Sequence, residues 1–382
     1  MSSVWRAPGV SALLGATVLG FAGYAALMPV APLWAVHGGA GEGGAGLVNG
    51  VLMLFTVLTQ PFVPGSLRRF GWGPVLVAGM VLMGVPSLLF MLGDGLGTIL
   101  VLSAIRGLGF GVLTVTGSAA VAELVPAAQR GRAVGAYGLA IAGAQVVLLP
   151  AAPWVAETLG YWVVFVVGAL PLLGVFPAWR LAHVLRQAPE AEDTGEPVPW
   201  LALLRPMALL LGVTLAGGAL LTFTAQMSSS ASLTLVGLMV MNVSAALTRW
   251  RVGALADRFG AQPFIWPLVL TTVAGMSVVA WAVRDPLATA AAALLVGLFL
   301  VGLAYGALQN LTLVVTFEAV SRRHYGQASA VWNIGFDAGT GLGSVLVGMV
   351  AAGTSFSTAL LVAAAFSLAT LPLALLRPAG RR

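Results

Sequence analysis

The charges of this chain fall in short clusters, and between the clusters run apolar stretches of roughly 20 to 30 residues. A helix rises about 1.5 Å per residue, so about 20 apolar residues cross the hydrocarbon core of a bilayer. About twelve such stretches occur, over 10–35, 46–66, 73–92, 96–123, 131–156, 160–184, 203–226, 231–250, 262–283, 287–317, 326–352 and 356–377. Lipid offers no hydrogen bonds to backbone groups, which leaves helices and closed barrels as the spanning structures. The strict alternation of a barrel strand is missing. The sequence therefore predicts an all-α integral membrane protein of twelve transmembrane helices.

Composition narrows the function. Only 8% of the 382 residues are charged, against about 25% in a soluble domain. The balance of +6 comes from arginines at helix ends, with no lysine at all, so it does not read as a nucleic-acid surface. The absence of cysteine excludes disulfides and thiolate metal sites. His37, His183 and His324 are scattered and make no ligand cluster, and neither metal nor cofactor is expected. No arrangement of Ser, His and Asp suggests a nucleophile, and no Walker-type loop offers direct drive by ATP. The first apolar run is too long for a signal-peptide core, so it is expected to stay as a membrane helix. Lys-free, Ala/Gly/Val-rich usage points to a GC-rich bacterial genome.

The loop charges set an expected topology. Arg6, Arg68, Arg69, Arg130, Arg132, Arg180, Arg186, Arg205, Arg249, Arg251, Arg258, Arg322, Arg323, Arg377, Arg381 and Arg382 fall on one side of the membrane, Arg284 alone on the other. Positive loops remain inside, so both termini are expected in the cytoplasm of a bacterial inner membrane. Gln187 to Pro199 is acidic, proline-rich and free of apolar periodicity. It reads as a linker, giving an N-terminal six-helix half (1–186), a cytoplasmic linker (187–200) and a C-terminal six-helix half (201–382).

The halves repeat each other. Gly107-Leu108-Gly109-Phe110-Gly111 matches Gly302-Leu303-Ala304-Tyr305-Gly306 at an offset of 195, and Glu123 matches Glu318 at the same offset. Pro64-Gly65-Ser66-Leu67-Arg68-Arg69-Phe70-Gly71 after helix 2 matches Gly253-Ala254-Leu255-Ala256-Asp257-Arg258-Phe259-Gly260 after helix 8. Two parallel six-helix repeats around a midplane site form a transporter architecture.

With its Gly253–Gly260 loop and the Arg106–Gly111 run in helix 4, the chain resembles the major facilitator superfamily. Gly135, Gly138, Gly143 and Leu149-Pro150 loosely follow the helix 5 signature of that family's antiporters. The resemblance implies a secondary transporter, most similar to bacterial twelve-helix drug and metabolite exporters. It implies proton-coupled export of small amphiphilic organic compounds by alternating access, with no cofactor and with a monomer as the working unit. The residues leave open uptake or facilitated transport of an organic anion, and a non-transporting receptor or membrane-embedded enzyme on the same scaffold.

Charge at bilayer depth costs roughly 2.5–3.5 kcal/mol and marks candidate sites. Asp337, about eleven residues into helix 11, is the expected proton carrier. Arg106, about ten residues into helix 4, is the expected ligand of an anionic group or a counter-ion. Both are expected to face a central cavity. The neutral polar and aromatic candidates for substrate contact are Tyr24, Gln145, Gln226, Tyr305, Gln309, Asn310, Trp332 and Asn333, each of which could equally tie helices together. Asp257, Arg258, Glu318, Arg69 and Glu123 are expected to form a cytoplasmic gate, with Arg69 paired to Glu123 and Arg258 to Glu318. Asp94 and Glu157 are expected to be merely solvated.

Overall fold

The computed structural model describes residues 9–124, 130–185, 200–228, 230–285, 288–320 and 325–376. Among the described residues there is no strand, and twelve helices are long and apolar enough to cross a membrane. They are α1 (Val10–His37), α2 (Glu42–Phe70), α3 (Trp72–Leu92), α4 (Leu96–Leu124), α5 (Arg130–Leu159) and α6 (Tyr161–Leu185). The series continues with α7 (Trp200–Met227), α8 (Ala231–Phe259), α9 (Gln262–Ala282), α10 (Ala291–Glu318), α11 (Tyr325–Gly353) and α12 (Phe356–Leu375). Large apolar side chains such as Leu54, Leu58, Leu139, Val147, Phe299 and Met349 stand exposed, as lipid-facing surfaces do.

The chain divides into two units, Met1–Gly39 with Val51–Pro197, and Ala40–Gly50 with Val198–Arg382. The second cut falls inside the expected linker, which itself lies outside the described residues. Ala40–Gly50, expected in the first half, belongs with the second unit. A Cβ at Gly46 would meet the backbone of Ser344, and one at Gly50 would meet Val345. In the same stretch, Asn49 Nδ2 donates to Thr222 Oγ1 at 2.9 Å.

Each unit repeats the packing of the other. In the first, α1 packs on α5, α4 on α3, and α3 on α6; in the second, α7 packs on α11, α10 on α9, and α9 on α12. The repeated glycines explain the closest approaches. A Cβ at Gly107 would meet the Leu52 carbonyl, and one at Gly111 would lie 2.6 Å from the Thr56 carbonyl, so only glycine lets α4 come this near α2. Gly302 and Gly306 of α10 stand in the same way against the Met241 and Ala245 carbonyls of α8.

Both α2 and α8 run through the loop motifs as helix and end at Phe70 and Phe259. The following glycines take nearly the same backbone, Gly71 at φ 79°, ψ 170° and Gly260 at φ 80°, ψ 159°. That region is open essentially to glycine alone. Gly260→Ala is therefore expected to cost about 1–3 kcal/mol and to lower the unfolding temperature measured by tryptophan fluorescence in detergent. At these and other helix ends arginines lie over aromatic rings: Arg69 over Phe70, Arg180 over Phe176, Arg251 over Trp250, Arg258 over Phe259 and Arg284 over Trp281. Such pairs suit the boundary between lipid and water.

Candidate functional site

In the first unit the close seating of α4 on α2 carries Arg106 into the protein interior. The side chain is fully buried, at 0% exposure. Its Nη2 donates to the Gly23 carbonyl of α1 at 3.0 Å. Nε and Nη1 have no hydrogen-bond partner among the described residues. The next residue of α1, Tyr24, is buried within electrostatic range of the guanidinium and stacks on Phe110, with centroids 4.2 Å apart and planes within 5°. Arg106 is thus buried, with one donor on α1, and keeps unused donor capacity for an acceptor.

In the second unit the polar groups gather where α7, α8, α10 and α11 approach. Asp337 is 3% exposed on α11. It follows Phe336, whose ring is 6.2 Å from Tyr305 and 5.6 Å from Trp332. Gly217 of α7 makes room for the Tyr305 ring, which a Cβ there would strike. Tyr305 is hydrogen-bonded to Gln309 and lies within electrostatic range of Arg249 and Asp337. Arg249 Nη1 donates to Gln309 Oε1 at 3.0 Å, and Asn310 Nδ2 donates to the Arg249 carbonyl at 3.0 Å. The structure therefore brings Tyr305, Gln309, Asn310 and Asp337 together.

Arg249 belongs to this group although the charge pattern assigned it to a loop. The polar run Thr248-Arg249-Trp250-Arg251 reads as a helix end, yet α8 continues to Phe259 and holds Arg249 against α10. The repeat carried the signal, because the shift from Gly71 to Gly260 places Arg249 on Gln60. Gln60 makes the corresponding α2–α4 contact, donating from Nε2 to Thr114 Oγ1 at 3.3 Å.

The other candidates are dispersed. Trp332 uses its indole N–H on Thr312 Oγ1 at 3.1 Å, which ties α11 to α10. Gln145 on α5 and Asn333 on α11 are half-buried. Gln226, near the end of α7, has a buried Nε2 with no hydrogen-bond partner among the described residues. A further buried cluster joins Asn49, Thr222 and Ser344, with Thr222 Oγ1 and Ser344 Oγ 2.6 Å apart.

The expected ion pairs Arg69–Glu123 and Arg258–Glu318 are not formed. Among the described residues the one contact within 4.0 Å between a basic and an acidic side chain joins His37 Nδ1 to Asp94 Oδ2, at 3.1 Å, and it is an ion pair only when the imidazole is protonated. Glu123 and Glu318 are exposed, and each arginine lies over its neighbouring phenylalanine. An exposed pair contributes only about 0–1 kcal/mol, so a ring contact competes with it. The Asp257 side chain lies outside the described residues. Asp94, expected to be merely solvated, instead pairs with His37, which stacks on Trp34 at 4.7 Å. Trp34 in turn donates to the carbonyls of Phe90 and Gly93, both at 3.1 Å.

Comparison with known proteins agrees with this geometry. The family model described as Major Facilitator Superfamily matches residues 13–291 and 252–382. No curated protein matches the chain in sequence. Among solved structures the chain is similar to a bacterial homolog of the human lysosomal transporter Spinster in its inward-facing, unoccupied conformation. That match has a TM-score of 0.76 and 15% identity over 98% of this chain and 97% of the other. It is similar to the nucleoside transporter NupG, with a TM-score of 0.72 and 14% identity over 97% of this chain and 100% of the other. It also resembles a D-xylose-proton symporter, with a TM-score of 0.70 and 16% identity over 98% of this chain and 99% of the other. Twelve spans, two repeated six-helix sets and a family match along nearly the whole length converge: the chain belongs to the major facilitator superfamily, as a multi-pass membrane transporter of a small-molecule substrate rather than an enzyme.

Proposed function

We propose that the protein is a proton-driven antiporter. It exports small amphiphilic organic compounds across a bacterial inner membrane by alternating access of its two halves, with both termini in the cytoplasm. Asp337 carries this reading. It is a buried carboxylate midway along a membrane-spanning helix in a chain that has very few charges at that depth. A carboxylate in such surroundings binds and releases a proton at far lower cost than it could remain permanently charged in lipid. Gln226, whose buried Nε2 has no hydrogen-bond partner among the described residues, and Tyr305, beside Phe336, pair polar with aromatic groups, which suits an amphiphilic substrate. Arg69, Glu123, Asp257, Arg258 and Glu318 sit near the ends of α2, α4, α8 and α10, where a gate between states would act.

One observation favours a second reading. The unused donors of Arg106 fit an anionic substrate group, as uptake or facilitated movement of an organic anion would need. A flux assay in proteoliposomes under an imposed pH gradient separates the two, with cationic, neutral and anionic amphiphiles offered in turn. Export by antiport predicts movement of cationic or neutral compounds against the proton gradient, lost on adding a protonophore. Selective movement of anions, indifferent to the gradient, would establish the second reading instead.

A further inference from the structure

One helix of this fold belongs to both units. Ala40–Gly50 lies in the second unit, and the chain from Val51 onward lies in the first. Yet the α-helix runs through that boundary without a break, from Glu42 to Thr59. Both parts of it are seated closely. Beyond the boundary, Gly107 and Gly111 of α4 stand against the carbonyls of Leu52 and Thr56, and Thr56 Oγ1 donates to the Gly107 carbonyl at 3.2 Å. Before it, Gly46 and Gly50 stand against Ser344 and Val345 of α11, and a Cβ on Gly348 would lie 2.6 Å from the Glu42 carbonyl oxygen. At the centre of this second seat Asn49 Nδ2 donates to Thr222 Oγ1 of α7 at 2.9 Å, and Thr222 Oγ1 lies 2.6 Å from Ser344 Oγ of α11. All three side chains are buried. A helix fixed at both places resists movement of one unit against the other. One seat must open, or the helix must bend, and no proline between Glu42 and Thr59 provides a kink.

The chemistry of the second seat suits opening. Thr222 Oγ1 donates to the Gly218 carbonyl of its own helix at 2.7 Å, and Ser344 Oγ lies 3.3 Å from the Thr340 carbonyl of its own helix. When Asn49 leaves, both hydroxyls keep an acceptor, and the amide exchanges its partner for water. The repeat shows that packing at this point needs no amide. The shift that carries Gly71 onto Gly260 carries Gly46, Asn49 and Gly50 onto Leu235, Leu238 and Met239. Leu238 is fully buried where α2 has Asn49, and α8 lies wholly within the second unit. We propose that Asn49, Thr222 and Ser344 form a latch, from which Ala40–Gly50 is released and to which it returns in each transport cycle. The inference rests on the alternating-access reading.

The chain has no cysteine, so a single introduced one reports on a single place. Val48, beside Asn49 and at 0% exposure, becomes reachable by a water-soluble maleimide only when the segment is released. Val213, buried on α7 more than two turns from Thr222, reports unfolding instead. In the purified full-length protein Val48→Cys is expected to react roughly tenfold or more faster than Val213→Cys, because local opening precedes global unfolding. Adding Asn49→Ala is expected to raise the Val48→Cys rate by roughly two- to tenfold, the weight of one hydrogen bond, and to leave the Val213→Cys rate unchanged. Thr222→Val, on the facing helix, carries the same expectation should the alanine variant unfold. Equal slow rates at the two positions would overturn the inference. So would a Val48→Cys rate indifferent to both substitutions, or a rise at both positions together.

A disulfide ties the latch to transport. A Cβ on Gly43 would lie 3.7 Å from the Ala352 Cβ, a separation that suits a disulfide, and the two residues are half-buried and exposed. The double variant Gly43→Cys with Ala352→Cys is oxidised in proteoliposomes, and the bond is confirmed by mass. It is expected to stop net flux of the amphiphile that the wild type moves best, and dithiothreitol is expected to restore it. Undiminished flux through the oxidised protein, together with slow labelling of Val48→Cys, would overturn the latch. Failure of the alternating-access reading looks different. The oxidised protein would then keep its flux while Val48→Cys still reacts faster than Val213→Cys.

Discussion

Asp337→Asn is expected to reduce pH-gradient-driven net transport to the level of empty vesicles while leaving exchange of labelled for unlabelled substrate measurable. Asparagine keeps the size and hydrogen-bonding character of the side chain but cannot release a proton. Asparagine fills the same buried volume beside Phe336 and keeps a hydrogen-bonding group there, so the variant is expected to fold. Its unfolding temperature, measured in the same detergent, separates loss of coupling from loss of fold. Net flux and exchange measured on the same vesicles make the distinction. Loss of both together would mark Asp337 as a residue needed for binding or folding rather than for the proton.

The second large effect concerns the glycines. In α10 a Cβ at Gly306 would meet the Ala245 carbonyl oxygen, with the Ala245 carbonyl carbon 2.6 Å away. The obstacle is backbone, so no rotamer relieves it, and α8 would have to move outward along its whole contact with α10. Gly306→Val is expected to destabilise the protein by about 3 kcal/mol, the upper end of ordinary overpacking, and to lower its unfolding temperature in detergent. Because α8 carries Arg249 and α10 carries Gln309, the same displacement should also impair transport. Gly143 is the control. It is exposed on α5 with open space where its Cβ would lie, so Gly143→Ala should leave the unfolding temperature unchanged or slightly higher. Equal losses for the two variants would refute the close-approach account.

The twelve spans were legible because bilayer thickness and charge are blunt constraints, and the sequence meets both twelve times. The limits of α8 were not. Arg249 and Arg251 flank Trp250 in a run polar enough to read as a loop, while the helix continues and places Arg251 over the Trp250 ring. Local polarity cannot tell a solvated arginine from one held by Gln309 on another helix. The repeat could, since Gln60 and Arg249 occupy one position in two copies. The allegiance of Ala40–Gly50 was hidden for a related reason. Gly43, Gly46 and Gly50 form one small-residue face of α2, which announces close packing but not the partner. Ser344, Val345 and Gly348 supply it. Asp337 and Arg106 stood out in the sequence because charge within an apolar run is rare. That Arg106 reaches the Gly23 carbonyl is a property of the packed helices alone.

The central claim, that a proton moves opposite to substrate, is tested most directly by the pH inside proteoliposomes. A pH-sensitive dye is trapped in the lumen, and a non-titrating substrate from the flux screen is added outside with no pH gradient imposed. Antiport predicts that entering substrate drives protons out, so the lumen turns alkaline in wild type and stays constant in Asp337→Asn. Substrate entry with no change in luminal pH, or with acidification, would contradict the account.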